Sequence, residues 1–411
     1  MSFQMVADHA VRERKPDVTF GIMSRANNAI AKYGAENVIN STIGALLDDE
    51  GKLVALESVY STLKALDNAS FAAYAPIEGE AKFLNAVVKA CFKEYRPEGF
   101  IKAIATPGGT GAVHHAICNY TNVGDTFLTS DWYWGPYATI GEENNRKLDT
   151  FTLLDENNNF NFESYKNKFE EILTRQKRIL VILNTPAHNP TGYSVTNEEW
   201  DAILNLAKEH AKNIENKIII CCDIAYIDFA EPEKRSFMKK FSNLPVNIMS
   251  LFAFSASKGY TMYGLRNGAL ICVTPDEDTA EEFYFASTFS NRANWSNGTK
   301  CAMKTLAEIQ DDEELLSKFT LEQDKYRLIL KLRADKFIEE SARVGLKLTS
   351  YSEGFFVCVP CDNPKTVCEK LTEENLFVVP FQYGIRVALC AINVAQAEKM
   401  PKIIKKVLET M

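Results

Sequence analysis

Lys258 stands in the stretch Phe254-Ser-Ala-Ser-Lys-Gly-Tyr-Thr-Met-Tyr-Gly-Leu-Arg-Asn-Gly268, with Ser255 and Ser257 just before it and Arg266 eight residues after it. Two hydroxyls, an ammonium and a guanidinium gathered where a strand gives out can hold a phosphate. The strand is the apolar run Ile248 to Phe254, and a second run, Ala269 to Val273, follows the arginine. A lysine between apolar segments and near other cations has its charged form disfavoured, so it is nucleophilic closer to neutrality. Together these residues have what a Schiff base to a phosphorylated aldehyde requires. On this fragment alone, a surface lysine on a polar loop is the competing reading.

Other segments weigh against that competitor. Asp223 ends the apolar run Lys217-Ile-Ile-Ile-Cys-Cys-Asp223, with Tyr226 three residues on. A carboxylate ending a buried strand must be paired or face a cleft. Opposite a pyridine nitrogen it would keep that nitrogen protonated and the ring an electron sink. Ala187-His188-Asn189-Pro190-Thr191-Gly192 follows a third run, Ile179 to Leu183. On these motifs the chain resembles the fold-type I pyridoxal-phosphate aminotransferases, aspartate/aromatic branch, in order from about Asn40 to Arg386.

The resemblance implies transamination between an amino acid, aspartate or aromatic, and a 2-oxo acid such as 2-oxoglutarate. Its cofactor would be pyridoxal phosphate, bound as a Schiff base to Lys258, which then moves the proton. Asp223 falls on the ring nitrogen, while Asn189 and Tyr226 fall on the phenolic oxygen. Gly109, Thr110, Ser255 and Arg266 fall on the phosphate, with Gly111 and Ser257 in the same cofactor-binding set. Tyr74, in Tyr74-Ala-Pro-Ile-Glu-Gly79, matches a tyrosine that crosses a dimer interface to the partner's phosphate, so a homodimer with shared sites is expected. Arg386, in Tyr383-Gly-Ile-Arg-Val-Ala, matches the arginine that grips the substrate α-carboxylate, where a bidentate fork suits a planar anion. Arg292, four residues before Ser296-Asn297, matches one that reaches the neighbouring site and binds a distal carboxylate. Gly44 becomes a wall of the substrate pocket.

In Trp132-Tyr-Trp-Gly-Pro-Tyr137 an indole can stack on a flat ring, and alignment on the Trp-Gly pair selects Trp134 for cofactor and substrate contact. The family pattern expects a histidine behind Asp223 three residues later. Tyr137 stands there instead, and a phenol can still donate. His188, beside Asn189, reads as structural, because the family's proton shuttle is the lysine.

These residues need elements to carry them. Seven short apolar runs, beginning near Ile101, Asp125, Leu148, Ile179, Lys217, Ile248 and Ala269, alternate with helical stretches such as Asn197 to Lys212. That pattern predicts an α/β domain with a mostly parallel sheet, and the ligand at the carboxyl ends of its strands. Pro107-Gly-Gly-Thr-Gly111 opens a helix that runs to about Tyr120, where backbone N–H groups can meet a phosphate. A dinucleotide loop is the alternative for that segment, but the Gly-x-Gly-x-x-Gly spacing is missing. The expected division is an arm and part of a small domain over 1–50, a large domain over 51–310, and a small α+β domain over 311–411. A helix is expected over roughly Asp17 to Tyr33.

With 411 residues and 46% hydrophobic content, the chain can bury two cores, and its net charge of −8 argues against nucleic acid or an anionic membrane as partner. No membrane-length apolar run or signal peptide is evident. Ten cysteines are too sparse for a disulfide scaffold and read as reduced thiols of a cytoplasmic protein. Cys358-Val-Pro-Cys361 has no second pair at zinc spacing, so no metal is expected. Two other functions use the same features: a pyridoxal-phosphate lyase or decarboxylase on the same frame, and a non-catalytic regulator. The regulator would need a DNA-binding extension, for which the N-terminal arm is too short.

Overall fold

Along the strand Arg178–Asn184 the side chains alternate between two cores: Ile179, Val181 and Leu183 pack on one face, Leu180 and Ile182 on the other. The neighbouring strand Lys217–Asp223 does the same, with Ile218, Ile220 and Cys222 opposed to Ile219 and Cys221. Strands buried on both faces must be covered by helices on both sides, which is why the runs read as continuous apolar sequence.

The computed structural model describes residues 4–12 and 18–411. The expected helix start at Asp17 lies outside the described residues; the helix is described over Val18–Tyr33. All seven expected runs are strands of one sheet, in the spatial order Phe100–Pro107, Asn267–Thr274, Ile248–Ser255, Lys217–Asp223, Arg178–Asn184, Thr126–Ser130, Lys147–Phe151. Asn267–Thr274 runs antiparallel to both its neighbours; every other pairing is parallel. The helix Gly108–Tyr120 leaves the first strand at once and packs against the sheet. Gly111 makes that possible, because a Cβ there would come within 2.5 Å of Pro107 Cδ.

A second core surrounds a three-stranded antiparallel sheet ordered Val379–Phe381, Gly384–Ala388, Phe356–Pro360. Ile39–Asn40 pairs in parallel with Leu376–Phe377, so segments near both ends of the chain meet here. The stretch from Asp276 to Arg343, which reads as long and helical, is three helices: Glu277–Asn294, Lys300–Asp311 and Glu313–Arg343. The last belongs to both cores: Phe319 and Leu330 pack with the large one, Ala334 and Phe337 with the small one. Among the described residues no helix is long and apolar enough to cross a membrane.

Candidate active site

Two strands end level, Asn184 pairing with Asp223, and the third, in which Ala253 pairs with Asp223, runs two residues further to Ser255. Beyond their carboxyl ends lies a cleft of about 390 Å³, lined among others by Gly109, Thr110, Trp134, Asn189, Asp223, Tyr226, Ser255, Ser257, Lys258 and Arg266. Ten of the residues singled out in the sequence thus converge, from five separate stretches of the chain.

Lys258 sits in the short helix Ala256–Gly259, capped at its amino end by Ser255, the last residue of the strand Ile248–Ser255, whose Oγ accepts from Ser257 N. Its Nζ donates to the Gly44 carbonyl at 2.6 Å and lies 5.0 Å from the centre of the Tyr263 ring and 5.5 Å from that of Tyr226. Burial pushes its pKa down to about 8, with Arg386 and Arg266 adding to the push and Asp223 opposing it. The sign is clear: above about pH 8 the amine is neutral and nucleophilic. Trapping of a small aldehyde by borohydride, mapped by peptide mass, should therefore be half-maximal at Lys258 near pH 8 and level off by about pH 9.5. Surface lysines should still be gaining reactivity at pH 10.

Asp223 is buried, and burial lifts its carboxyl above the usual range; the Tyr137 hydroxyl and the Ala225 N–H pull it back. Tyr137 donates to Asp223 Oδ2 at 2.5 Å, so the phenol stands where a histidine was expected and makes the bond. Tyr137 in turn packs edge-on against Trp134. Trp132 instead packs against Phe381 and Tyr383, outside the cleft lining. His188 is buried with its Nδ1 on Thr191 Oγ1 at 2.8 Å, and burial drives its pKa down to about 3, which keeps it neutral.

At one end of the cleft Arg266 bonds Ser257 Oγ at 3.1 Å and the Tyr263 carbonyl at 2.9 Å. Gly108, at φ +71°, leaves it room: a Cβ there would lie 2.5 Å from Arg266 Nη2. Gly109 and Thr110 face this end at the amino terminus of the helix Gly108–Tyr120, whereas Gly111 packs beneath it on Pro107 and Thr106. Arg386 does not line the cleft but stands behind Asn189: buried, it donates to Asn189 Oδ1 at 3.1 Å and to the Thr42 carbonyl at 2.9 Å, with its guanidinium 4.2 Å from the centre of the Phe356 ring. Its Nε is buried and has no hydrogen-bond partner among the described residues. Asn189 also donates to the Tyr226 hydroxyl at 3.3 Å.

Tyr74 is 87% exposed, and Arg292 is exposed with its Nη1 on Ser296 Oγ at 2.8 Å; neither lines the cleft of its own chain. Four cleft residues were not anticipated: Phe20, Asn184, Ala225 and Tyr263. Asn184 ties the floor together, donating to the Asp223 carbonyl at 2.8 Å and accepting from Asn189 N at 2.6 Å. Its signal was present, a polar amide closing the buried run Ile179 to Leu183. Tyr263 accepts from Leu46 N at 2.9 Å. Cys358 is buried and donates to the Pro190 carbonyl; all ten cysteines are free, and no group of metal-binding side chains occurs among the described residues.

Residues 36–404 match the family model for aminotransferase class I and II. The solved structure of an aminotransferase from Anaerococcus prevotii DSM 20548 is 40% identical and superposes with a TM-score of 0.97 over 99% of this chain and 100% of that one. The aromatic-amino-acid aminotransferase of Escherichia coli K12 is 25% identical over 72% of this chain and 75% of its own length. The aspartate aminotransferase of Pseudomonas aeruginosa PAO1 is 24% identical over 94% and 96% respectively. The chain is a member of the class I and II aminotransferase family.

Proposed function

We propose that this aminotransferase works with pyridoxal phosphate carried on Lys258, taking aspartate or an aromatic amino acid as donor and 2-oxoglutarate as acceptor. The observation that carries the reading is one buried amine, with a pKa near 8, set between an anion cradle and a guanidinium that has an orphan donor. The donor set fits the cofactor: Arg266, Ser255, Ser257, Thr110 and the Gly109 N–H would hold the phosphate. Asn189 and Tyr226 would hold the phenolic oxygen, and Trp134 would flank the ring. When bound, the cofactor supplies a protonated pyridine that accepts the electrons of a broken Cα–H bond.

The chain's own groups do the rest. Asp223 keeps a proton at the ring nitrogen. Arg386 grips the α-carboxylate, its unpaired Nε–H finding an acceptor only when that anion arrives. Lys258 Nζ, whose ammonium form burial disfavours, takes the proton from Cα and hands it on. Gly44, whose carbonyl holds that Nζ, walls the substrate side. In a homodimer, Tyr74 of the partner subunit would complete the phosphate site and Arg292 of the partner subunit would meet a distal carboxylate. Residues 51–310 would form the cofactor-holding domain, between the 1–50 arm and the 311–411 small domain. Ten free thiols fit a cytoplasmic location.

Incubation with an amino donor alone tests the reaction class. An aminotransferase converts one equivalent per site and stops until a 2-oxo acid is added, whereas steady ammonia release would mean a lyase. Specificity has its own test. Arg292→Ala should cut kcat/KM for aspartate, glutamate or 2-oxoglutarate by roughly 10²-fold, as loss of a charge partner does, and should leave phenylalanine or tyrosine nearly unaffected. A uniform loss across both classes would make Arg292 structural.

A further inference from the structure

Asn291 lies one residue before Arg292, is 1% exposed, and uses all four hydrogen-bonding positions of its amide. Oδ1 accepts from His115 Nε2 and from Trp295 Nε1, each at 2.8 Å. Nδ2 donates to the Ile77 carbonyl at 2.8 Å and to the Ala105 carbonyl at 3.0 Å. The assignment is self-consistent, because a flipped amide would set donor against donor and acceptor against acceptor. His115 is stacked on Trp295, and burial lowers its pKa to about 4, so it is neutral and carries its proton on Nε2.

The four partners fall into two pairs. Ala105 belongs to the strand Phe100–Pro107 and His115 to the helix Gly108–Tyr120; between them lies the Gly108–Gly111 turn of the chain's own cleft. Ile77 belongs to the loop that bears Tyr74, which is laid on the same strand by Ala105 N donating to the Glu78 carbonyl. Trp295 opens the turn after the helix Glu277–Asn294, where Ser296, at φ +68°, accepts from the Arg292 guanidinium. One buried amide therefore joins the anion cradle of its own site to two exposed side chains, Tyr74 and Arg292, that the cleft of its own chain does not use.

We propose that Asn291 is a positioning residue for both sites of the dimer, setting the cofactor-phosphate cradle of its own subunit and aiming Arg292 at the distal carboxylate in the partner's. The inference rests on the preceding reading of Arg292. A mere packing role would require only an amide-sized side chain, whereas this role requires two donors and two acceptors in place.

Asn291→Asp keeps the size and turns both donors into acceptors that face carbonyls. Two readouts follow. Pyridoxal phosphate should dissociate at least about ten times more readily from the variant, measured by equilibrium dialysis of the holoenzyme; an unchanged affinity overturns the role in its own subunit. Mixed dimers test the partner's site, with Lys258→Ala in one subunit so that a single site works. Asn291→Asp on the Lys258→Ala subunit should raise KM for 2-oxoglutarate and aspartate about ten-fold and leave KM for phenylalanine unchanged. On the other subunit that selective rise should vanish. Equal loss for both substrate classes, or the same result in either arrangement, overturns the role in the partner's site. Trp295→Phe covers the case in which the aspartate variant fails to assemble: it removes one donor, so the selective KM rise should appear while cofactor affinity holds. Arg292→Ala run alongside separates the two ideas. If it has no selectivity, the Arg292 reading falls and Asn291 is judged on cofactor affinity alone.

Discussion

Lys258→Ala should lower turnover by at least about 10⁴-fold, because it removes a nucleophile and a proton carrier in one step. The fold should survive. Among the described residues the side chain makes a single hydrogen bond, to the Gly44 carbonyl, and its burial disfavours the ammonium rather than rewarding it. The purified wild type should be yellow, with an absorption that borohydride discharges and fixes as a mass increment on the peptide containing Lys258. The alanine variant should show neither the absorption nor the increment, with thermal unfolding close to that of wild-type apoenzyme. An alanine variant that transaminates near the wild-type rate would remove the centre of the proposed mechanism.

The large sheet was legible because its chemistry is monotonous. A strand such as Lys217–Asp223, buried on both faces, must be apolar at nearly every position, and its end is marked by the first carboxylate. The same logic exposed Lys258, Asp223 and Asn189, since each follows such a run. What stayed illegible is what depends on distance in the chain. Asn184 closes its strand as plainly as Asp223 does, yet its role appears only where Asp223 and Asn189 fold up against it. Phe20 lines the cleft from a helix whose other face packs elsewhere, and a lone phenylalanine on a helix carries no sign of that. By sequence Gly111 groups with Gly109 in the cofactor-binding set, but helical rotation turns it onto Pro107. Asn291 was hidden for a further reason: its four partners lie on four different segments, and a single asparagine in a helix reads as solvated.

Asp223→Ala should keep the cofactor but lose roughly 10²–10³-fold in kcat, the scale of deleting one charge-stabilising group from an enclosed site. The cradle around Arg266 and Ser255 is untouched by that change, so affinity depends on it little. The rate should depend on Asp223, because an unprotonated pyridine withdraws electrons poorly. Tyr137→Phe refines the test. The phenol donates to Asp223 Oδ2 at 2.5 Å and favours the ionised carboxylate against a burial that disfavours it. Without it, the Asp223 pKa rises, so ionised carboxylate is lost at a higher pH as the solution is acidified. The acid limb of kcat should therefore move upward in pH, with a loss near ten-fold at neutrality, the scale of one hydrogen bond to a charged group. His188→Ala supplies the contrast: a residue kept neutral by burial, with its Nδ1 on Thr191, should leave the acid limb in place even where stability falls. If His188→Ala moves that limb as far as Tyr137→Phe, the support for Asp223 has been assigned to the wrong side chain.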